Sequence, residues 1–276
     1  MADNVVNGII GDGFSTELLL TAIAKQLKKN PADWYVACKT DERCTQLREQ
    51  YNAKAITDPA EFLPKVKILI IALPVGADIE ATISEINSQI PADALVISFT
   101  YILTIDMLEK YFPGHSVIHG AMNQMILIGE GICIYTVGLI QSTHSEMMAK
   151  LFLSQFGKTI KMDSGEEMLL ASDLIFVSSM YALMAVNALI EGAENSGLKS
   201  KNSTEIVSQV FKGISKFITE SDEVIDNLAK HFSGNKKFVE LGRDILLKYD
   251  ILKYMQNQLP KNDEREIFKF HYRWNR

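Results

Sequence analysis

The residues whose spacing carries the clearest chemistry open the chain, where VVNGIIGDGFSTELLL (5–20) breaks an apolar run with Gly11-Asp12-Gly13 and resumes as a helical pattern. An apolar stretch to Ile10, a glycine pair and the helix-like Thr16 to Leu20 spell a strand, a tight turn and a helix start. Such a turn gathers the first N–H groups of the helix and the positive end of its dipole at one point, which suits a pyrophosphate. Gly11 lets the chain turn sharply, and Gly13 lets the backbone approach phosphate oxygens. The third glycine of the dinucleotide fingerprint is absent, because Thr16 stands in its place and offers a hydroxyl instead. Asp12 brings a negative charge to the phosphates unless it points away. The expected contacts are Gly11, Asp12, Gly13, Phe14, Ser15 and Thr16; the alternative is a strand-to-helix turn that binds nothing.

A second group closes the next predicted strand, Trp34 to Cys38. An acidic residue there would bind a ribose 2′-hydroxyl, and a basic one a 2′-phosphate. Lys39 and Thr40 precede the first carboxylate, Asp41, so NADP is favoured, with NAD possible; Lys39 as a solvated strand end is the alternative. Ala72, Leu73 and Pro74, at the end of the apolar run KILIIAL, line the expected cofactor path. His119 ends the strand-like SVIHG and titrates near neutrality, which suits an acid, although a surface or hydrogen-bonded histidine fits as well. His115 and His119 are not a helical metal pair, because the pattern around them is that of a strand. The 3 cysteines, Cys38, Cys44 and Cys133, form no CxxC pair, so no metal site or disulfide is expected and a reducing compartment fits.

The elements that must position these groups alternate. Apolar runs at Lys67–Leu73 and Ala94–Ser98 read as strands buried on both faces. Helical patterns at Asp41–Tyr51, Ala77–Gln89 and Thr104–Tyr111 separate them, with Ile79, Ile83 and Ile86 on one face. Strands at Ser116–Gly120, Gly131–Val137 and Thr159–Met162 and a helix over Thr143–Phe156 complete an α/β, doubly wound parallel sheet that binds ligands at the carboxyl ends of its strands. From Glu166 onward the pattern is helical, with one stripe formed by Val207, Val210, Phe211, Ile214, Phe217 and Ile218. The division expected is a dinucleotide-binding domain over 1–163 and a helical domain over 164–276.

Composition narrows the function classes. With 47% hydrophobic and 22% charged residues the chain is an ordinary globular one, and a net charge of −6 supplies no basic field for nucleic acid. MADNVVNG carries acid where a secretory leader carries base, so a cytoplasmic protein is expected. Leu174 to Ile190 holds no charge, but it is only 17 residues long and includes Ser178, Ser179 and Asn187, so a buried helix rather than a membrane span is expected. Its apolar surface exceeds what a small helical domain covers alone, which points to a homodimer or higher homo-oligomer. The tail IFKFHYRW (267–274) alternates like an edge strand or packing arm, and Tyr249 with Lys253 forms a YxxxK whose context fits chance.

In motif order the chain resembles the pyrroline-5-carboxylate reductase family. The resemblance runs to about Leu259 through the Gly-x-Gly turn, the strand ending in ALP, VISFTYILTIDMLEKYFPGHSVIHGAMNQMILIGEG, and a helical domain; NQMILIGEG (123–131) is its most specific piece. It implies a Rossmann-type sheet followed by an all-helical dimerisation domain, and hydride transfer from NADPH or NADH to a cyclic imine in proline biosynthesis. It also implies Asn123 near the nicotinamide, and Tyr181 with Ser178 and Ser179 lining the substrate side. The chain departs from the family at several points. The small-residue run S-G-S-G-P-A-Y is Ile175-Phe176-Val177-Ser178-Ser179-Met180-Tyr181, Asn187 replaces a glutamate, and the paired threonines of the substrate loop are Lys237 and Phe238 in SGNKKF (233–238). A rebuilt pocket for an imine or related small carbonyl compound is expected. Two alternatives remain open: a catalytically inactive relative that senses nucleotides or binds proteins, and a dehydrogenase of the prephenate type, which the ALPV turn (72–75) also resembles.

Overall fold

The computed structural model describes residues 6–26, 33–74, 77–140, 142–221, 248 and 250–256. Val75, Gly76, the SGNKKF segment, Tyr249 and the tail fall outside them, so the readings placed on those residues are not addressed by the structure.

The expected alternation is present. Strands β1 (Val6–Ile10), β2 (Trp34–Ala37), β3 (Lys54–Ile56), β4 (Val66–Ile71), β5 (Leu95–Ser98), β6 (Ser116–Met122), β7 (Gly131–Val137) and β8 (Gly157–Lys161) form one sheet in the order β3-β2-β1-β4-β5-β6-β7-β8. All neighbouring pairs are parallel except β6 with β7, whose register runs Ile118 to Val137 and Met122 to Cys133. Strand order reverses between β1 and β4, and that is the switch point at which doubly wound sheets bind ligands.

Helices α1 (Phe14–Gln26), α2 (Asp41–Tyr51) and α5 (Thr143–Leu153) contribute Leu19, Leu47 and Phe152 to the core on one face of the sheet. On the other face α3 (Ile79–Ile86) and α4 (Ile105–Tyr111) contribute Ile79, Ile83, Ile86 and Leu108. The isoleucine spacing therefore does what its period implied. Local signals set the helix starts: Thr40 Oγ1 accepts from Arg43 N to begin α2, and Asp78 accepts from Ala81 N to begin α3.

The long helix α6 spans Gly165–Asn195. Ser164 Oγ accepts from Glu167 N while Glu167 Oε2 accepts from Asp163 N, a reciprocal cap. At the other end Gly197 adopts φ 96°, and the bonds from Leu198 N to Ala193 O and from Gly197 N to Glu194 O close the last turn. The chain separates into two units, the first running through Ile175 and the second beginning at Phe176. Within the first, Met168 and Ile175 pack with Ile134 and Met162. The second contains the rest of α6 and helix α7 (Ser200–Glu220). The buried helix expected over Leu174–Ile190 is not buried within this chain: Leu183 and Met184 are each 57% exposed, and Leu174, Phe176 and Leu189 are exposed as well. Helix α6 is long and apolar enough to cross a membrane by length and composition. The α7 stripe is likewise open at Val210, Ile214, Phe217 and Ile218.

Candidate functional site

At the carboxyl end of β1 the chain turns through Gly11, whose φ is 117°. A Cβ there would stand 2.3 Å from the Ala72 carbonyl oxygen, so both backbone conformation and the neighbouring strand require glycine. Gly13 is different. Its φ is not positive, and among the described residues a Cβ would meet only Pro74 Cβ at 3.9 Å, an ordinary contact. Nothing among the described residues needs a glycine at this position. Helix α1 begins at the next residue, Phe14, which is 64% exposed beside half-buried Ser15; Thr16 N and Glu17 N donate to Gly13 O at 3.1 and 3.2 Å, so Phe14 and Ser15 supply the N–H groups that precede the helix's own bonds.

Thr16 takes another role than the one its hydroxyl suggested. Its side chain is fully buried, and Oγ1 donates to Gly11 O at 2.8 Å, so the hydroxyl closes the turn from inside. Asp12 also turns away from the glycine cradle. Its Oδ2 accepts from Lys39 N at 2.9 Å, which ties the glycine turn to the end of β2. Thr40 caps α2, and the Lys39 side chain is exposed.

Arg43, which sequence reasoning passed over, completes this corner. Its Nε and one terminal nitrogen donate to Asp12 O at 2.9 and 2.7 Å, the same nitrogen pairs with Glu17, and the other donates to Gln46 at 3.1 Å. The Glu17 hydrogen bond is the main reason its pKa is raised. The available signal was its place three residues after a threonine cap, in the first turn of a helix following β2. Behind it, Cys38 is buried, and desolvation first, then Cys44 and the charge of Asp12, push its thiol up, so it stays protonated.

On the other side of the switch point, Ala72 and Leu73 are buried and Pro74 is exposed. Leu73 N donates to Thr100 Oγ1 at 2.9 Å, which joins the end of β4 to the loop after β5. In that loop the Tyr101 hydroxyl donates to Asp173 Oδ1 of α6 at 2.6 Å. Asn123 directly follows β6, where its Oδ1 accepts from Ile132 N at 3.2 Å and its own N–H donates to Ile132 O. The side-chain carbonyl thus anchors β7, and the amide nitrogen is the end that can serve a ligand.

The structure thus gathers Gly11 to Thr16 with Lys39 and Thr40 on one side and Ala72, Leu73 and Pro74 on the other. Tyr181, Ser178 and Ser179 belong to the second unit, on α6; Tyr181 and Ser179 are half-buried and Ser178 is exposed. The acid role considered for His119 does not survive. Its side chain is 1% exposed with neither ring nitrogen hydrogen-bonded among the described residues, and burial holds its pKa down to about 4. The imidazole is neutral at physiological pH, so it offers no acidic imidazolium proton.

Residues 7–101, the span from β1 to the loop after β5, match the family described as NADP oxidoreductase coenzyme F420-dependent. Pyrroline-5-carboxylate reductase of Corynebacterium melassecola is 23% identical over 223 residues, covering 77% of this chain and 79% of that protein. The chain is thus similar, at low identity, to the pyrroline-5-carboxylate reductases. The fold agrees: the crystal structure of Plasmodium falciparum pyrroline carboxylate reductase, with NADP bound, superposes with a TM-score of 0.79 at 18% identity, over 93% of this chain and 95% of that one. An imine reductase of Streptomyces aurantiacus shares the fold less closely, with a TM-score of 0.55 at 16% identity, over 83% of this chain and 79% of that one.

Proposed function

We propose that this protein is an NADP-dependent reductase of C=N bonds, acting on a cyclic imine such as pyrroline-5-carboxylate or on a related small compound. The observation that carries the reading is the Gly13 cradle, a glycine that its own fold does not require, at the amino end of α1 and beside the switch point. Gly11 to Ser15 would face the pyrophosphate, with Thr16 holding the turn from within. Lys39, Thr40 and Arg43 would face the adenosine end, and two cationic side chains there favour a 2′-phosphate. Ala72, Leu73, Pro74 and the Asn123 amide would face the nicotinamide half, with Tyr181, Ser178 and Ser179 on the substrate side. The bound cofactor supplies hydride; the chain supplies orientation and the electrostatic setting. The NADP named for the Plasmodium structure and the imine reductase among the structural relatives support this reading.

A second copy of the chain would cover the exposed apolar faces of α6 and α7, as a homodimer or larger homo-oligomer in the cytoplasm. A membrane is the competing occupant of α6, and partition of the purified chain into detergent-free solution as a defined oligomer separates the two.

The test is a titration of cofactor emission with NADPH and separately NADH, followed by turnover on 1-pyrroline-5-carboxylate and simpler cyclic imines. Saturable binding with NADPH preferred, and imine-dependent oxidation of NADPH, are the expected results. Absence of binding by either nucleotide at millimolar concentration would overturn the reading.

A further inference from the structure

The cation best placed for a 2′-phosphate at the end of β2, Arg43, already holds an anion. Its Nε and one terminal nitrogen donate to Asp12 O in the glycine turn, and the other terminal nitrogen donates to Gln46 on its own helix. The nitrogen shared with Asp12 O also pairs with the carboxylate of Glu17, in the first turn of α1. An arginine carries five N–H groups, so one, on the nitrogen that reaches Gln46, is without a partner among the described residues. A phosphate gripped by two N–H groups needs another. The bonds to Asp12 O tie α2 to the turn, which leaves Glu17, the anion, as the partner that a second anion replaces. The carboxylate of Asp12 is engaged with Lys39 N at 2.9 Å, so Glu17 is the one acid on the guanidinium among the described residues. The pair is open to exchange, with side chains 24% and 32% exposed. An acid in the first turn of a helix suits its dipole, but at a helix end that faces phosphates the same charge opposes the ligand unless a cation holds it.

We infer that Glu17 is an internal counter-anion that the 2′-phosphate of the nucleotide displaces from Arg43, which makes Glu17 a determinant of nucleotide choice; this rests on the NADP-dependent reading above. A phosphate monoester carries a charge of about −1.5 to −2 at neutral pH against −1 for a carboxylate, and it accepts from a guanidinium through two N–H groups at once. The exchange therefore runs toward the phosphate, by a margin that the broken Arg43–Glu17 pair reduces. A nucleotide with a 2′-hydroxyl brings no anion to this corner and leaves the pair in place, so Arg43 stays neutralised and the nucleotide meets no unpaired cation. Preference is the difference between these two outcomes. Lys39, exposed and without a carboxylate on its side chain among the described residues, attracts the phosphate without such an exchange. Glu17 thus lowers the preference for the phosphorylated nucleotide that Lys39 and Arg43 would give together.

The test is calorimetric titration of the full-length protein with adenosine 2′,5′-bisphosphate and with 5′-AMP, which differ only in the 2′-phosphate and need no turnover. The wild-type protein is expected to bind the bisphosphate more tightly. Glu17→Gln keeps the size and the hydrogen-bond acceptor and removes the charge; it is expected to tighten the bisphosphate by about tenfold, the scale of one charge-assisted contact, with 5′-AMP little changed. The ratio of NADH to NADPH dissociation constants should rise in step. In an Arg43→Ala background the same substitution should give a smaller gain, because there is no guanidinium to release. An undiminished gain in that background marks plain repulsion and overturns the inference, as does an equal gain on both nucleotides. Unchanged or weaker bisphosphate binding in Glu17→Gln also overturns it, by showing that Glu17 orients Arg43 for the ligand. A wild-type protein that binds the bisphosphate no better than 5′-AMP overturns the NADP reading itself, and the exchange with it.

Discussion

The hydroxyl of Thr16 donates to the carbonyl of Gly11, 2.8 Å away inside a closed core, so the turn that lacks a third glycine is held by a side-chain hydrogen bond. Thr16→Val keeps the shape and removes the donor. It is expected to lower stability by about 1–2 kcal/mol, the cost of leaving a buried carbonyl unpaired, measured by urea unfolding with an unchanged m-value.

The two glycines of the turn should fail differently. Gly13→Val is expected to abolish nucleotide binding while the thermal midpoint moves by no more than a few degrees, because among the described residues its Cβ would meet Pro74 Cβ at an ordinary 3.9 Å. Gly11→Ala should instead unfold at markedly lower denaturant, by about 2 kcal/mol or more, since its Cβ would collide with Ala72 O and its φ of 117° is strained for alanine. Unchanged NADPH affinity in Gly13→Val would sink the site.

Arg43→Ala is expected to weaken NADPH more than NADH, shifting the ratio of dissociation constants by about tenfold, the scale of one charge-assisted contact to phosphate. The same variant releases Asp12 O and Glu17, so both nucleotides should lose some affinity. Titrations of each nucleotide at low and high salt check this, since a phosphate contact weakens with salt.

Burial holds the His119 pKa down to about 4, against about 6.5 in an unfolded chain. The unfolded state therefore binds more protons between those values, and stability falls as pH drops from about 6.5 toward 4, by up to about 3 kcal/mol. Above 6.5 the group contributes no pH dependence. His119→Leu should remove this part of the slope; an unchanged profile between pH 6.5 and 4 would show that other groups carry it.

Helix α6 leaves Leu183 and Met184 open on the single chain. Leu183→Lys is expected to shift sedimentation toward monomer at micromolar concentration, because a charge in an apolar interface is costly to desolvate.

Much of the sheet was legible along the chain. Strands β4 and β5 are buried on both faces, so they read as unbroken apolar runs. Ile79, Ile83 and Ile86 declared the buried face of α3 by spacing alone. Strand β3 was missed because it is three residues at the sheet edge with only Ala55 fully buried, too short for a period to appear. The antiparallel seam between β6 and β7 was also unmarked, since side-chain alternation is the same in either direction.

Sequence by itself determined what local sterics and periodicity control: a strand turning through Gly11 and Gly13 into a helix, alternating elements around a doubly wound sheet, and a change to helices after the sheet. Tertiary structure decided what each polar side chain does, because hydrogen-bond partners are set by the approach of segments far apart in the chain. Asp12 reaches Lys39, Arg43 reaches Asp12 and Glu17, and Tyr101 reaches Asp173. Packing also removed His119 from acid chemistry, since the strand that ends at the ligand edge buries its ring where a charged imidazolium is penalised.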